Sequence, residues 1–132
     1  MLYGLPCTPR ATTFANQIAA LRRGEPLKLF TDEFRTPVWL ADAALALIVL
    51  ARSELSGVIH VAGPERLSRY EMVRKFAELL RIDSPKLEAV SRLSIQSAEP
   101  RPADLSLDGT RFARIFPAIT LGPIRGKVFE LP

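Results

Sequence analysis

Short apolar segments that suit β-strands alternate along this chain of 132 residues with longer segments whose apolar residues recur at helical spacing. Phe14, Ile18 and Leu21 recur in this way between about 12 and 23, and apolar residues of a second such segment follow Ser68. The order of strand, helix, strand, helix, strand, helix is typical of an α/β fold. Since 48% of the residues are apolar and 24% are charged, the composition favours one globular domain over a disordered chain.

Turn and capping residues mark where several of these segments begin and end. Gly24 follows the last apolar residue of the first helical segment, where glycine often ends a helix. Ser68 and Glu71 have the three-residue spacing of a capping box, which predicts the start of another helix. The residues 27–30 and 87–90 are predicted as strands, and Asp108 is placed to begin a last helix.

Two segments are apolar on every side. The segment 38–52 is predicted as a helix, or as a short strand that runs into one. Its residues 43–51 have no polar face, which predicts a buried helix that is too short to span a bilayer. The run 58–61 lies between glycines and predicts a strand in a sheet covered on both faces. His60, the single histidine, lies in that strand and is therefore predicted as a core residue rather than a catalyst.

Charge and cysteine content narrow the functional classes. The net charge is +4, with 14 arginines and four lysines, which permits anionic ligands. Because the basic residues are scattered, with only Arg22–Arg23 and Arg74–Lys75 adjacent, we expect no nucleic-acid partner. The single cysteine, Cys7, excludes a disulfide within the chain and a cysteine-rich metal site. The first residues lack the pattern of a signal peptide, so we expect a cytoplasmic protein with no membrane partner.

Three segments together resemble a known family. They read TDEFRTPVWLADA at 31–43, GVIHVAG followed by LSRYE between 57 and 71, and RPADLSLD at 101–108. In this order and spacing they resemble the C-terminal half of dTDP-4-dehydrorhamnose reductases and related extended short-chain dehydrogenases, over residues 1 to about 116. The resemblance implies a Rossmann-like α/β fold of short parallel strands and packed helices. It also implies that strands at about 1–4 and 57–62 share one parallel sheet.

The same resemblance implies a nucleotide-diphosphate sugar as ligand. It assigns Arg35 and Arg101 to the diphosphate, whose oxygens suit the planar guanidinium fork. For Arg35 a solvated loop position is an equal alternative, and for Arg101 the alternative is an ion pair with Asp104. Phe34, in the loop that the family uses near its substrate, either stacks on a base or sugar or packs against the protein. Phe14 is predicted as core, and Asp42 as an acid that favours the helix N-terminus.

The cofactor and catalytic motifs of that family have no match in the sequence. The seven glycines do not form the Gly-rich turn that receives a dinucleotide pyrophosphate. The Tyr-x-x-x-Lys pair of the family is also missing, since Tyr3 is followed by Cys7 and Tyr70 by Arg74. The resemblance therefore predicts a single substrate-binding domain, 1–132, without catalytic, cofactor or metal residues. NADP or NAD is expected only in a full-length parent that also has an N-terminal dinucleotide-binding domain.

Two functions from different classes follow. The first is the nucleotide-sugar-binding part of an NAD(P)-dependent oxidoreductase of rhamnose-type deoxysugar biosynthesis, inactive by itself. The second is a non-catalytic protein-binding module, as in the regulatory subunit of methionine adenosyltransferase, which resembles the same family. In either case a sheet lacking its other strands would leave an edge and apolar helix faces exposed, so we expect self-association or a partner that covers them.

Overall fold

The computed structural model describes residues 1–5, 11–94 and 101–126, and Cys7 lies outside them. These residues form four α-helices, which are α1 (Thr13–Arg23), α2 (Leu40–Ala51), α3 (Arg69–Leu79) and α4 (Thr110–Ile115). They also form six short strands, which are β1 (Leu2–Tyr3), β2 (Leu27–Phe30), β3 (Phe34–Arg35), β4 (Val38–Trp39), β5 (Leu67–Ser68) and β6 (Leu87–Val90). A 3₁₀ turn spans Arg92–Ser94.

The strands pair two by two. β1 runs parallel to β4, and β2 runs parallel to β6 with Leu27 opposite Leu87. β3 and β5 are antiparallel. The predicted α/β class with short parallel strands and packed helices is confirmed.

Local capping explains where α1 and α3 begin and end. Gly24 ends α1 in the left-handed conformation at φ 66°, which a residue with a Cβ atom adopts only with strain. Ser68 Oγ accepts a hydrogen bond from the Glu71 backbone N–H at 3.2 Å, and the Ser68 N–H donates to Glu71 Oε2 at 2.7 Å. Both the glycine stop and the capping box are therefore confirmed.

The hydrophobic core lies between α1, α3 and the strands beside them. Phe14 and Phe76 meet edge to face, with ring centroids 5.0 Å apart, and Phe14 is 3% exposed, as its predicted core position requires. Burial raises the pKa of Tyr3 to about 12, since the phenolate form is disfavoured away from water. The buried residues of this core are Tyr3, Phe14, Ile18, Leu21, Leu29, Met72, Val73, Phe76, Ala77 and Ile124.

The strand predicted at 57–62 is wrong. Residues 57–62 have an irregular backbone, Val58 is 74% exposed, and His60 is exposed rather than in the core. β1 pairs with β4 instead of with this segment. The physical reason is that a strand needs hydrogen-bonded neighbours, and within the described residues no strand lies beside 57–62.

The helix predicted at 43–51 forms, but the prediction that it is buried is wrong. The helix α2 forms, but only Ala43 and Ala46 are buried. Leu45, Leu47 and Ile48 are exposed by 46, 64 and 49%. Within the described residues, nothing covers this apolar face of α2.

Close backbone contact at Gly63 joins the segment after 57 to the loop before β4. A Cβ atom built on Gly63 would lie 1.8 Å from the Pro37 carbonyl oxygen, far inside van der Waals contact. We expect Gly63→Ala to lower the free energy of unfolding by about 1–3 kcal/mol, because a buried backbone must move to admit the methyl group. Urea unfolding followed by circular dichroism measures this change.

Gly126→Ala is the matched control. A Cβ atom there meets Leu79 Cδ2 at 3.9 Å, which is ordinary contact, and the backbone is not in the left-handed region. We expect a change within about 0.5 kcal/mol for this substitution. Equal effects of the two substitutions on the free energy of unfolding would contradict the close contact between Gly63 and the Pro37 carbonyl oxygen.

Candidate functional site

A buried carboxylate, Glu33, forms the centre of a cluster of three arginines. Glu33 is 1% exposed and lies in the loop between β2 and β3. Arg101 Nε donates to Glu33 Oε1 at 2.6 Å. Arg69 Nε lies 3.5 Å from Glu33 Oε2, and Arg35 Nη2 lies 3.8 Å from the same oxygen. We call Glu33, Arg35, Arg69 and Arg101 the arginine cluster.

Strand pairing brings the members of the arginine cluster together. Arg35 lies opposite Leu67 in the β3–β5 pair, so Arg69, which begins α3, comes next to it. The Arg69 N–H donates to the Glu33 carbonyl oxygen at 3.1 Å.

Hydrogen bonds along β3 hold the segment that carries Arg101. The Phe34 N–H donates to the Ala103 carbonyl at 2.7 Å, and the Leu105 N–H donates to the Phe34 carbonyl at 3.1 Å. These bonds lay residues 101–105 beside β3, so residues that are far apart in the sequence share one site.

The charges of the arginine cluster do not balance. Three guanidinium groups face one carboxylate, which leaves two positive charges in excess. Burial acts to raise the pKa of Glu33, but the hydrogen bond from Arg101 and the charges of all three arginines hold that pKa below its usual value. Burial and the positive charge of Arg69 lower the pKa of Arg35. The cluster is therefore electrostatically suited to an anion.

The structure brings the predicted site residues Arg35 and Arg101 together at Glu33. It agrees with neither of the two alternatives, which were a solvated loop position for Arg35 and an ion pair with Asp104 for Arg101. The Arg35 side chain is 13% exposed, so it is not a solvated loop residue. The alternative in which Arg101 pairs with Asp104 is wrong, because Arg101 pairs with Glu33. Asp104 Oδ2 instead accepts a hydrogen bond from Arg66 Nε at 2.9 Å, within an ion pair whose Nη2 lies 2.7 Å away. Its hydrogen bonds with Ser106, followed by that with Arg66, lower the pKa of Asp104 to about 2.

Phe34 is half-buried beside the same segment. The guanidinium carbon of Arg66 lies 3.7 Å from the centroid of the Phe34 ring, which is a cation–π contact. This contact covers one face of the ring, so a base or sugar would have only the other face for stacking.

Two members of the arginine cluster were missed by the sequence analysis. Glu33 lies inside the segment that was singled out at 31–43, and Arg69 lies inside the capping box. An acid next to an arginine in a polar loop is ordinary on a protein surface, so the pattern did not indicate a buried ion cluster.

Two cavities border the arginine cluster. One, of about 700 Å³, is lined by Phe14, Arg35 and Arg69, among others. The other, of about 270 Å³, is lined by Gln17, Phe30, Arg69 and Arg101, among others. Because Arg69 lines both, the positive charge lies between two concave surfaces.

Other kinds of site receive no support from the part of the chain that the structure describes. His, Cys, Asp and Glu side chains form no group of three there that would hold a metal ion. Within the same ranges, no helix has the length and hydropathy needed to cross a membrane.

Comparison with known proteins places the chain in a family. Residues 8–125 match the family described as the RmlD substrate binding domain. This chain belongs to that family, as the resemblance in three sequence segments predicted. No curated protein matches the sequence.

Solved structures of nucleotide-sugar enzymes share the fold. A dTDP-4-dehydrorhamnose reductase from Bacillus anthracis, in complex with NADP, has a TM-score of 0.74 at 20% identity over 86% of this chain and 39% of its own. A hypothetical dTDP-4-dehydrorhamnose reductase from Sulfolobus tokodaii has a TM-score of 0.70 at 27% identity, covering 86% of this chain and 40% of its own.

A UDP-glucuronic acid 4-epimerase from Bacillus cereus, in complex with UDP-glucuronic acid and NAD, has a TM-score of 0.70 at 14% identity. That match covers 96% of this chain and 40% of the epimerase. This chain therefore spans about two fifths of the length of the structures it matches. The predicted Rossmann-like fold of extended short-chain dehydrogenases is confirmed for the part of this chain that matches these structures.

The arginine cluster predicts a stability change that depends on pH. Glu33→Gln leaves three guanidinium groups without their buried anion, so we expect the free energy of unfolding at pH 7 to fall by about 1.5–3 kcal/mol. The pKa of Glu33 is lowered by folding, so its contribution is present above the unfolded-state pKa and is lost as pH falls through the folded-state pKa. The difference between wild type and Glu33→Gln should therefore shrink below about pH 4.3.

Urea unfolding of both proteins between pH 3 and pH 7 measures this dependence. Glu88→Gln is the control, because Glu88 is an exposed carboxylate paired with Lys28 at 3.5 Å. We expect it to change stability by less than about 0.5 kcal/mol at any pH in this range. A loss in Glu33→Gln that stays constant with pH would contradict an ionised Glu33.

Proposed function

We propose that this chain is the nucleotide-sugar-binding part of an NAD(P)-dependent reductase that acts on a 4-keto sugar nucleotide. Family membership supports the class of ligand. The observation that carries the proposal is the arginine cluster, in which three arginines share one buried carboxylate. Two excess positive charges beside two cavities suit the diphosphate of such a ligand.

Arg101 is the principal diphosphate ligand in this proposal. Its Nε is engaged by Glu33, and no described residue accepts a hydrogen bond from its two terminal nitrogens. Glu33 thus fixes the orientation of the guanidinium while its outer edge remains available to phosphate oxygens. Arg35 donates through Nη1 to the Phe34 carbonyl at 2.6 Å and adds charge from a more buried position.

The chemistry of the full-length enzyme would depend on residues outside this chain. NADPH or NADH would supply the hydride, and the relatives solved with NADP or NAD are more than twice as long as the matched part. The residues 1–132 would form one substrate-binding domain that binds and orients the sugar nucleotide. A role in carbohydrate biosynthesis and a cytoplasmic location belong to this proposal as well.

A second candidate function is protein binding through α2. Its exposed Leu45, Leu47 and Ile48, with Val58 also exposed, give the chain an apolar surface that single domains normally cover. This observation favours contact with a second copy or with a partner that supplies more of the fold. The two functions are compatible, since the arginine cluster and α2 consist of different residues.

The arginine cluster predicts weak binding of a nucleoside diphosphate by the isolated chain. We expect millimolar affinity for UDP or dTDP in ligand-observed NMR, because the entropy lost when the loops become ordered offsets part of the binding free energy. Arg101→Ala should weaken this affinity by at least about fivefold, since charge-assisted hydrogen bonds are lost. Arg101→Lys should restore only part, because an ammonium does not grip two phosphate oxygens as a fork does. Added salt should weaken binding by screening.

Arg23→Ala is the control for this experiment, because it removes the same charge from an exposed pair with Glu25. We expect its affinity for UDP to equal that of the wild type. If wild type and Arg101→Ala bind UDP with equal affinity while both are folded, the assignment of Arg101 as the diphosphate ligand is contradicted.

The exposed face of α2 predicts self-association of the chain. Leu47→Glu with Ile48→Glu should shift the protein toward monomer, because charges on an apolar interface oppose its burial. Sedimentation velocity over a range of concentrations measures the shift. Leu93→Glu, at an exposed leucine of the 3₁₀ turn, is the control and should leave the distribution unchanged. A wild-type chain that stays a compact monomer at high concentration would contradict the prediction.

A further inference from the structure

Arg66 is an exposed arginine that contacts two other segments of the chain at once. Its guanidinium carbon lies 3.7 Å from the centroid of the Phe34 ring. Its Nε donates to Asp104 Oδ2 at 2.9 Å, and its Nη2 lies 2.7 Å from the same oxygen. The other carboxylate oxygen of Asp104 accepts from the Ser106 N–H at 2.8 Å. The ring and the carboxylate therefore fix both the plane and one edge of this guanidinium.

These contacts extend across β3. On one side β3 pairs with β5, where Phe34 lies opposite Ser68. On the other side Phe34 forms a parallel bridge with Asp104. Because Arg66 immediately precedes β5, its side chain crosses the Phe34 ring to reach the segment beyond β3. One side chain thus ties three neighbouring backbone segments together.

The segment beyond β3 carries Arg101 three residues before Asp104. Only two residues separate them, and the first is a proline, whose ring restricts the backbone. Arg101 Nε donates to Glu33 Oε1 at 2.6 Å, while Asp104 is held by Arg66. The segment 101–104 is therefore held at both ends by side chains, and its release at Asp104 would loosen Arg101.

Arg66 is not a member of the arginine cluster. It faces Asp104 rather than Glu33, and that carboxylate matches its charge. It lines a cavity of about 420 Å³, which is distinct from the two cavities that border the cluster. Since its Nε and Nη2 are engaged by Asp104, an effect of Arg66 on a ligand at the cluster would pass through the segment 101–104.

We propose that Arg66 is a positioning residue for the diphosphate site. By tying Asp104 to Phe34 across β3, it keeps the Arg101 guanidinium against Glu33 with its outer edge available to phosphate oxygens. The inference rests on the proposed function, because it takes Arg101 to bind the diphosphate. Arg66 itself does not touch the ligand.

A double-mutant cycle tests this role, with the affinity for UDP measured by ligand-observed NMR at low salt. Arg66→Ala should weaken UDP binding by about threefold, the size expected for losing an exposed ion pair and a cation–π contact. In an Arg101→Ala background the same substitution should change the affinity by less than about 1.5-fold, because the residue through which it acts is gone. Arg66→Lys should restore only part, since an ammonium lacks the planar fork.

The partner carboxylate separates positioning from simple charge. Asp104→Asn removes a negative charge, so electrostatics alone would strengthen the binding of an anion, whereas loss of the tie to Arg66 should weaken it by about threefold. Arg74→Ala is the control for the lost arginine, because it removes the same charge from an exposed pair with Glu78. We expect its affinity for UDP to equal that of the wild type.

The arginine Nε–H resonances of the wild-type chain give a test that does not depend on the folding of a variant. UDP should shift the Nε–H resonance of Arg101, whose guanidinium meets the phosphate, and leave that of Arg66 unchanged. In folded Arg66→Ala, the Arg101 resonance should move toward the position of a free arginine even without ligand, because its bond to Glu33 is loosened.

Three results would overturn the inference and leave an Arg101-dependent diphosphate site intact. They are equal UDP affinities of wild type and folded Arg66→Ala, tighter binding by Asp104→Asn, and a UDP-induced shift at Arg66 as large as that at Arg101. An equal loss on Arg66→Ala in both backgrounds would also overturn it, since Arg66 would then act independently of Arg101. If Arg101→Ala leaves the affinity for UDP unchanged, the proposed function itself fails.

Discussion

The arginine cluster around Glu33 is the interaction on which the described part of the molecule most depends. It joins the loop before β3, the start of α3 and the segment at Arg101, which are far apart in the sequence. A carboxylate that is 1% exposed is tolerated because three arginines balance its charge and Arg101 donates a hydrogen bond to it. The excess of arginine over carboxylate means that the same interaction both holds the loops and leaves this site with net positive charge.

Incomplete burial is the second organising feature. The buried residues of α2 are Ala43 and Ala46, while Leu45, Leu47 and Ile48 are exposed. The segment 57–62 has the composition of a buried strand but no strand beside it within the described ranges. Both observations agree with a chain that spans about two fifths of the length of the structures it matches. They also explain why a protein partner, or a second copy, is a reasonable expectation.

The site was predictable only in part. Arg35 and Arg101 were singled out because a resemblance placed them near a diphosphate, and the structure brings them to one carboxylate. Glu33 and Arg69 were missed, because an acid in a loop and an arginine in a capping box are common in any protein. Their importance depends on which side chains lie nearby, and sequence spacing does not determine that.

The sequence by itself determined the local structure and the family. Gly24 and the Ser68–Glu71 pair fix helix ends through interactions between near neighbours, so their effects do not depend on the rest of the fold. The tertiary structure alone decided burial and pairing. It left 57–62 without a strand partner, exposed the apolar face of α2 and paired Arg101 with Glu33 rather than Asp104. The reason is that burial and ion pairing depend on contacts between residues distant in sequence, and the same apolar pattern is buried or exposed according to what covers it.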